Sequence, residues 1–145
     1  MPVGMLLPVI VLALWTHVIW LWMYVTRIPA IRAAQMRLDP HVPRGEQMAT
    51  LPSHVRWKAD NYNHLMEQPT VFYAVAIVYS LLMVGGGWPM RFAWAYVGIR
   101  IIHSIVQATW NKIEVRFSLF ALSSLVLIAL TVRALVLIIS IMRVG

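Results

Sequence analysis

The feature that most constrains this chain is an uncharged apolar run near its beginning, from Gly4 to Val25. The run is 22 residues long, and a helix needs roughly 20 apolar residues to cross the hydrocarbon core of a bilayer. A cleavable signal peptide has a basic start, a shorter apolar stretch and small residues at its end. This run starts without charge and ends among Trp20, Trp22 and Tyr24. The pattern therefore predicts a membrane-spanning helix that is retained.

Three further segments are predicted to be membrane helices, and the second of them begins with polar residues ahead of an apolar run from Thr70 to Val84. The predicted spans are residues 4–26, 54–85, 88–111 and 116–143. Residues 27–53 contain four prolines and a glycine, which predicts a connection of short pieces rather than one long helix. Pro69 falls inside the second span, where its missing amide donor should kink the helix and free a backbone carbonyl one turn earlier. The sequence thus predicts a single all-α integral membrane domain, residues 1–145, built as a four-transmembrane-helix bundle.

The composition and charge of the chain are those of a membrane protein and not those of a soluble domain. Hydrophobic residues make up 61% of the chain and charged residues 12%, against about 45–50% and about 25% in soluble domains. Eight Lys and Arg residues lie within 27–58 and 112–116, against two at the opposite helix ends. The positive-inside rule therefore places the 27–53 connection in the cytoplasm and both termini on the non-cytoplasmic side.

The same counts exclude several kinds of chemistry. Topology accounts for most of the net charge of +7, and no separate soluble basic module remains, so we expect no nucleic-acid partner. The chain has no cysteine. A disulfide framework, a Cys-ligated metal and a protein thiol nucleophile are therefore excluded.

The third predicted span carries a polar stripe on one helical face. Its members, spaced at i, i+3, i+7 and i+11, are Arg100, His103, Gln107 and Asn111. Ionisable groups at membrane depth are costly unless they face a protein interior or a wet cavity, so the stripe indicates a functional site. Counting residues outward from Gly86 places Glu67 level with His103. A snorkelling Arg100, or a purely structural Arg100–Glu67 pair, is the alternative interpretation.

The residue types around this stripe indicate the kind of ligand. The histidines follow no metal-ligand spacing, so we expect no metal. Ser104 and His103 are adjacent on a helix and point about 100° apart, which does not suit a Ser/His/Asp triad. Several arginines with one carboxylate suit a small ligand that carries more than one carboxylate and an ammonium group. The adjoining membrane face suits a lipophilic second substrate, whereas His17 and Arg133 receive no functional role.

Three stretches of the chain resemble the MAPEG family, the membrane-associated proteins in eicosanoid and glutathione metabolism. They are MYVTRIPAIRAAQMRLDP after the first span, VRWKADNYNHLMEQPTVFY entering the second, and GIRIIHSIVQATWNKIEVRFSLF from the third into the fourth. The Arg-x-x-His of Arg100 and His103, followed by Arg116, is similar to the prostaglandin E synthase branch. Together with the four spans, the resemblance covers essentially the whole chain.

The resemblance implies a homotrimer that binds glutathione between neighbouring subunits near the cytoplasmic side. By position, Arg116 matches the arginine that activates the thiol, and Arg100 assists it, so these two are the expected catalytic residues. The residues that resemble the glutathione-binding set are Arg32, Arg56, Asn63, Glu67, His103 and Gln107.

Two positions depart from the family pattern. The family usually has Asn-x-x-Glu in its second helix, whereas here His64 stands three residues before Glu67 and Asn63 stands four before it. Gln107 occupies a position where the family often has tyrosine. The sequence therefore leaves open which residue of the second helix makes the contact expected of that asparagine. The glutamine at position 107 removes one aromatic hydroxyl from the site.

The function that the resemblance and the polar site imply is a glutathione-dependent membrane enzyme of transferase or peroxidase type. It would conjugate or reduce a lipophilic electrophile or a lipid hydroperoxide that arrives from the bilayer. The alternative is a non-catalytic trimeric scaffold or lipid-binding protein, since some family members act without catalysis. An exporter subunit is less well supported, because Arg100, His103 and Glu67 cluster near one interface instead of marking a path across.

Overall fold

The structure is a computed structural model that describes residues 2–144, and every regular element in that part of the chain is helical. A 3₁₀ turn at Pro2–Met5 precedes α1 (Leu6–Ala33), α2 (Glu46–Ala49), α3 (Ser53–Glu67), α4 (Pro69–Leu81), α5 (Trp88–Thr109) and α6 (Ile113–Val144). The prediction of an all-α fold is confirmed.

Helix α1 is longer than the sequence predicts, because it continues through Pro29 for one further turn. The first seven residues of the predicted 27–53 connection are therefore helical. Proline removes one amide donor from a helix interior, but Pro29 lies close to the helix end, and alanines that favour helix follow it. The helix stops where Gln35 adopts a φ of 47°. The Met36 N–H then donates to the Ile31 carbonyl at 3.2 Å, as in a Schellman cap.

Pro69 divides the second predicted span into α3 and α4, with Gln68 between them. The predicted interruption at Pro69 is confirmed. Gln68 keeps helical angles, with φ −61° and ψ −39°, so the two helices follow one another without a loop. Proline occupies the first turn of α4, where a missing N–H is tolerated. The helix ends at Leu81, earlier than the glycines suggested, because Met83 takes a φ of 58°.

The connection between α4 and α5 depends on glycine at two positions. Gly87 has φ 68° and ψ −131°, a conformation that residues with a Cβ rarely adopt. Gly85 is buried, and a Cβ added to it would overlap the side chain of Met5. The beginning of the chain therefore packs directly against the turn that leads into α5.

The helices share one apolar core. Helix α5 packs most extensively on α6, and α1 packs on α3. Leu12, Phe72, Tyr96 and Leu130 belong to this core and come from four different helices. The rings of Phe72 and Tyr96 are stacked with centroids 4.6 Å apart. The hydroxyl of Tyr79 donates to the Leu130 carbonyl at 3.0 Å and ties α4 to α6.

Two helices of the described chain are long and apolar enough to cross a bilayer, Leu6–Ala33 and Ile113–Arg143. Their apolar side chains are widely exposed, as Leu125 at 64% and Ile128 at 56% illustrate. This exposure fits contact with lipid better than the interior of a soluble domain. The other two predicted spans are too short or too polar to be included, because α4 has only 13 residues and α5 carries the polar stripe.

Candidate functional site

The polar stripe of α5 points into the protein. Arg100, His103 and Gln107 are 0%, 2% and 1% exposed. The fourth member, Asn111, lies just beyond the helix end with a φ of 53° and is half-buried. Ionisable groups at membrane depth need such an enclosure by protein.

Arg100 contacts the backbone of His64 rather than the carboxylate of Glu67. Its Nη2 donates to the His64 carbonyl at 2.9 Å, and its Nε and Nη1 have no hydrogen-bond partner within the described residues. Pro69 has no N–H to donate to the Leu65 carbonyl, and Arg100 bonds the adjacent carbonyl of His64 in the same turn. The side chain of Glu67 is exposed. In this single chain, Arg100 therefore binds a backbone carbonyl in the last turn of α3 and does not pair with Glu67.

Asn61 forms a buried contact between α3 and α5 that the sequence analysis does not single out. It is fully buried, and its Nδ2 donates to the carbonyl and the hydroxyl of Ser104 at 3.0 Å and 2.8 Å. Asn61 shares a face of α3 with His64 and Gln68, at i, i+3 and i+7. That spacing is the signal that could have identified it.

The pairing of α3 with α5 is offset from the predicted one. His64, and not Glu67, lies beside His103, with ring centroids 6.1 Å apart. The prediction counted equal distances from Gly86, whereas α4 ends five residues before it and α5 begins two residues after it. This asymmetric turn shifts the facing residues by about one helical turn.

A groove of about 400 Å³ opens where α3, α5 and the start of α6 meet. We call it the histidine groove, and its lining residues are His64, His103, Ile113, Arg116, Phe117 and Phe120. Nη1 of Arg116 donates to Oδ1 of Asn111, which holds the guanidinium at the groove. The groove thus combines a cation and two imidazoles with an apolar wall.

The exposed face of α3 carries a second polar row, which we call the α3 stripe. Its members, spaced at i, i+4, i+7 and i+11, are Arg56, Asp60, Asn63 and Glu67. All of them are exposed in the single chain. His64 follows Asn63 and lies on the side of this face that turns toward α5. The stripe therefore leads directly to the histidine groove.

A second groove, of about 410 Å³, borders the same stripe between α1, α2 and α3. We call it the arginine groove; its polar lining residues are Arg27, Arg44, Arg56, Asp60, Tyr62 and Asn63. Three arginines against one carboxylate give it an excess of positive charge. Arg27 and Arg44 were not among the predicted site residues, although both belong to the basic connection that the sequence analysis identified.

Four predicted site residues line neither groove, and one of them is Glu67, which lies exposed on the α3 stripe. Arg100 and Gln107 are buried, and the amide nitrogen and oxygen of Gln107 have no hydrogen-bond partner within residues 2–144. Arg32 is exposed near the end of α1. The predicted residues that do line a groove are His103 and Arg116 in one, and Arg56 and Asn63 in the other.

His64 is the polar residue of the histidine groove that the predicted set omits. It lines the histidine groove with His103 and Arg116, and its carbonyl accepts the hydrogen bond from Arg100. The sequence did contain a signal, because His64 stands three residues before Glu67, where the resemblance expects asparagine. Asn63 lies on the exposed face instead.

The chemistry of this arrangement is that of an anion-binding surface. Within residues 2–144, no group of three His, Cys, Asp or Glu side chains is placed to hold a metal ion. The arginines of the two grooves can donate paired hydrogen bonds to carboxylates and can stabilise an anionic sulfur. Asp60 and Glu67 on the stripe can accept from an ammonium group.

The fold is that of a helical membrane protein, with polar grooves beside apolar surface. A model of the MAPEG family matches residues 5–136. The chain therefore belongs to the MAPEG family, which is membrane-integral and includes glutathione-dependent transferases and peroxidases as well as non-catalytic members. No curated protein and no solved structure gives a significant match. The family inferred from the sequence motifs is thus confirmed.

Proposed function

We propose that this chain is a glutathione-dependent membrane enzyme of transferase or peroxidase type, which conjugates or reduces a lipophilic electrophile or a lipid hydroperoxide. The observation that carries the proposal is the histidine groove, where Arg116 and two histidines lie beside Phe117 and Phe120. Such a groove offers positive charge to a thiolate and an apolar wall to a lipophilic partner. Family membership supports the choice of cofactor, because MAPEG proteins generally use glutathione.

The α3 stripe provides groups that match the two ends of glutathione. The tripeptide carries two carboxylates and one ammonium group at neutral pH. Arg56, with Arg27 and Arg44 beside it in the arginine groove, can bind carboxylates through paired donors. Glu67 can bind the ammonium group, and Asn63 lies between the two kinds of charge. These residues would therefore position the ligand.

Arg116 is the residue that we propose as the stabiliser of the thiolate. Bound glutathione supplies a thiol nucleophile, which suits a chain without cysteine. A thiol with a pKa near 8.5 is only a few per cent ionised at neutral pH, and each unit by which an arginine lowers the pKa is worth about 1.4 kcal/mol. Arg100 assists from beneath the groove, through its buried positive charge and its hold on His64.

His103 and Gln107 complete the proposed cofactor-binding set. His103 lines the groove, so its imidazole can hydrogen-bond a ligand there. Gln107 is buried one turn beyond His103 on α5, and it would act on the ligand through His103. The Arg-x-x-His of Arg100 and His103, followed by Arg116, supports a place near the prostaglandin E synthase branch.

The proposed topology has four spans, with α3–α4 and α5 as the second and third. The polar face of α5 is buried, and its outward face is apolar, with Ile102 53% and Ile105 43% exposed. The excess of Lys and Arg on the 27–58 and 112–116 segments supports a cytoplasmic position for the grooves and a non-cytoplasmic position for both termini. A lipophilic substrate would then reach Phe117 and Phe120 from the bilayer.

We expect a homotrimer, because the α3 stripe and both grooves open on the outside of the single chain. Hydrocarbon cannot satisfy such polar groups, so a neighbouring subunit should cover them. Arg32 is exposed near the end of α1, and in such a trimer it would bind the ligand together with a neighbouring subunit. Native mass measurement in mild detergent should show three copies, and crosslinking should give the same number. A protein that remains monomeric in every mild detergent would contradict the shared site.

Glu67→Gln is expected to weaken glutathione binding about tenfold or more, since one charge-assisted hydrogen bond contributes roughly 1.5–3 kcal/mol. Isothermal titration of the detergent-solubilised protein measures the affinity, and thermal unfolding checks the fold. Glu46→Gln is the matched control, because Glu46 is exposed on α2 and lines neither groove. Unchanged affinity in Glu67→Gln would remove Glu67 from the ligand site, and unchanged affinity together with lost folding would assign it a structural role.

The second candidate is a non-catalytic trimeric protein that binds a lipid or serves as a scaffold. The observation in its favour is that Arg100 is engaged in holding the interrupted helix, which a structural role also explains. The family includes members without catalysis. A protein that binds a lipophilic ligand but shows no glutathione binding in the same titration would favour this candidate.

A further inference from the structure

A third groove, of about 200 Å³, lies at the end of the helices remote from the two grooves described above. It is formed where the α4–α5 connection meets α6, and its lining includes Tyr79, Gly87, Trp88, Arg133 and Leu137. None of these residues belongs to the proposed glutathione site. The side chain of Arg133 is exposed, so its guanidinium is free to meet a ligand from outside the chain.

Within residues 2–144, no Asp or Glu side chain lies near Arg133 on α6 or on the α4–α5 connection. It is the one charged residue between Phe117 and Met142, in the middle of an apolar helix. The five Asp and Glu residues of the chain occupy positions 39, 46, 60, 67 and 114, which fall in the α1–α3 connection, in α3 and in the first turn of α6. An anion from outside the chain can therefore provide a negative charge that no described Asp or Glu side chain provides here.

The residues that line this groove suit a position at the boundary between the headgroups and the acyl chains of a lipid bilayer. Trp88 is of the residue type that settles at membrane interfaces, and Leu137 lies one turn beyond Arg133 on α6. Nothing would lie within 4 Å of a Cβ placed on Gly86 or Gly87, so an approaching group meets bare backbone there. The Tyr79 hydroxyl is already bonded to the Leu130 carbonyl, which fixes α4 on α6 and leaves Arg133 as the principal donor.

We propose that this groove binds the phosphate of an anionic phospholipid in the non-cytoplasmic leaflet. Arg133 would donate to two phosphate oxygens at once, as guanidinium groups do, while an acyl chain lies along Leu137 and the apolar surface of α6. The site is distinct from the proposed glutathione site in residues and in position. A lipid bound in this groove would contact both the α4–α5 connection and α6.

The test uses the delipidated full-length oligomer, titrated with phosphatidylglycerol and with phosphatidylcholine of the same acyl chains, and read by native mass measurement. We expect phosphatidylglycerol to bind preferentially and Arg133→Gln to weaken its binding about tenfold, in line with the loss of a charge-assisted contact. Arg133→Lys should retain part of the affinity. Arg143→Gln, one charge removed from the last turn of the same helix, should leave it unchanged.

Three outcomes would overturn the proposal. Equal phosphatidylglycerol binding by the wild type and Arg133→Gln would remove the arginine from the site. Equal losses in Arg133→Gln and Arg143→Gln would indicate attraction by net charge alone. Displacement of the lipid by glycerol phosphate at similar concentration would show a site for free phosphate rather than for a lipid. Normal glutathione affinity in Arg133→Gln separates failure here from failure of the proposed function.

Discussion

Replacing Arg116 with alanine is expected to return the thiol pKa of bound glutathione to about 8.5, the value of an unperturbed thiol. With Arg116 present we expect a bound-thiol pKa lower by one or more units, because an arginine in a partly desolvated groove favours the thiolate. Each unit corresponds to about 1.4 kcal/mol and a tenfold change in the ionisation constant. Ultraviolet absorbance of the thiolate, titrated against pH on the bound complex, measures the shift.

Lys112→Ala is the matched control for this experiment. Lys112 lies immediately before α6, four residues before Arg116, and its Nζ lies 5.0 Å from the ring centroid of Trp110. If Arg116 only anchors the chain to lipid phosphates, both substitutions should leave the thiol pKa unchanged. If Arg116 stabilises the thiolate, only its own replacement should raise that pKa, and Arg116→Lys should preserve part of the shift. A bound-thiol pKa equal to that of free glutathione in the wild type would favour the non-catalytic candidate.

Two neighbouring asparagines of α3 should give opposite results when each is replaced by alanine. Asn61→Ala removes two buried hydrogen bonds to Ser104, at about 1 kcal/mol each and more where a buried group is left unpaired. We expect a loss of roughly 2–3 kcal/mol in stability, which lowers the melting temperature by several degrees in a chain of this size. Asn63→Ala removes an exposed side chain, so the melting temperature should hold while glutathione affinity falls.

Thermal unfolding and glutathione titration on both variants provide the measurement. The reverse pattern, a stable Asn61→Ala that loses glutathione and an unstable Asn63→Ala that binds it, would show that Asn61 faces the ligand and would refute the α3 stripe as described. His64→Asn is a useful third variant, because it restores the spacing that the family usually has before Glu67. We expect it to fold normally, since the contact that His64 makes with Arg100 runs through the backbone carbonyl.

The elements of this fold were predictable because each follows from local chemistry. The uncharged run near the beginning, the proline at position 69 and the polar spacing of α5 are all readable along the chain, and each appears in the structure. The end of α1 was missed, because one proline near a helix terminus was treated as a breaker. Helix-favouring alanines around it outweigh the single lost hydrogen bond.

The sequence predicted residues for the candidate site but not how the structure arranges them. His103 and Arg116 line one groove, while Arg56, Asn63 and Glu67 lie along an exposed face of α3. The hydrogen-bond partner of Arg100 could not be predicted. A polar residue at a given helical face can be assigned to the protein interior, but its partner depends on the offset between two helices, which no periodicity encodes.

The sequence by itself determined the helical class, the apolar helices, the family and the side of the molecule on which positive charge gathers, because these depend on composition and on spacing within single helices. Only the tertiary structure decided that His64 and not Glu67 stands beside His103, that Asn61 joins α3 to α5, and that Arg100 holds a carbonyl near Pro69. These pairings depend on where α4 stops and how the connection before α5 turns. The turn is asymmetric because Met83 and Gly87 adopt positive φ angles, and a shift of three residues there changes every contact between the two helices.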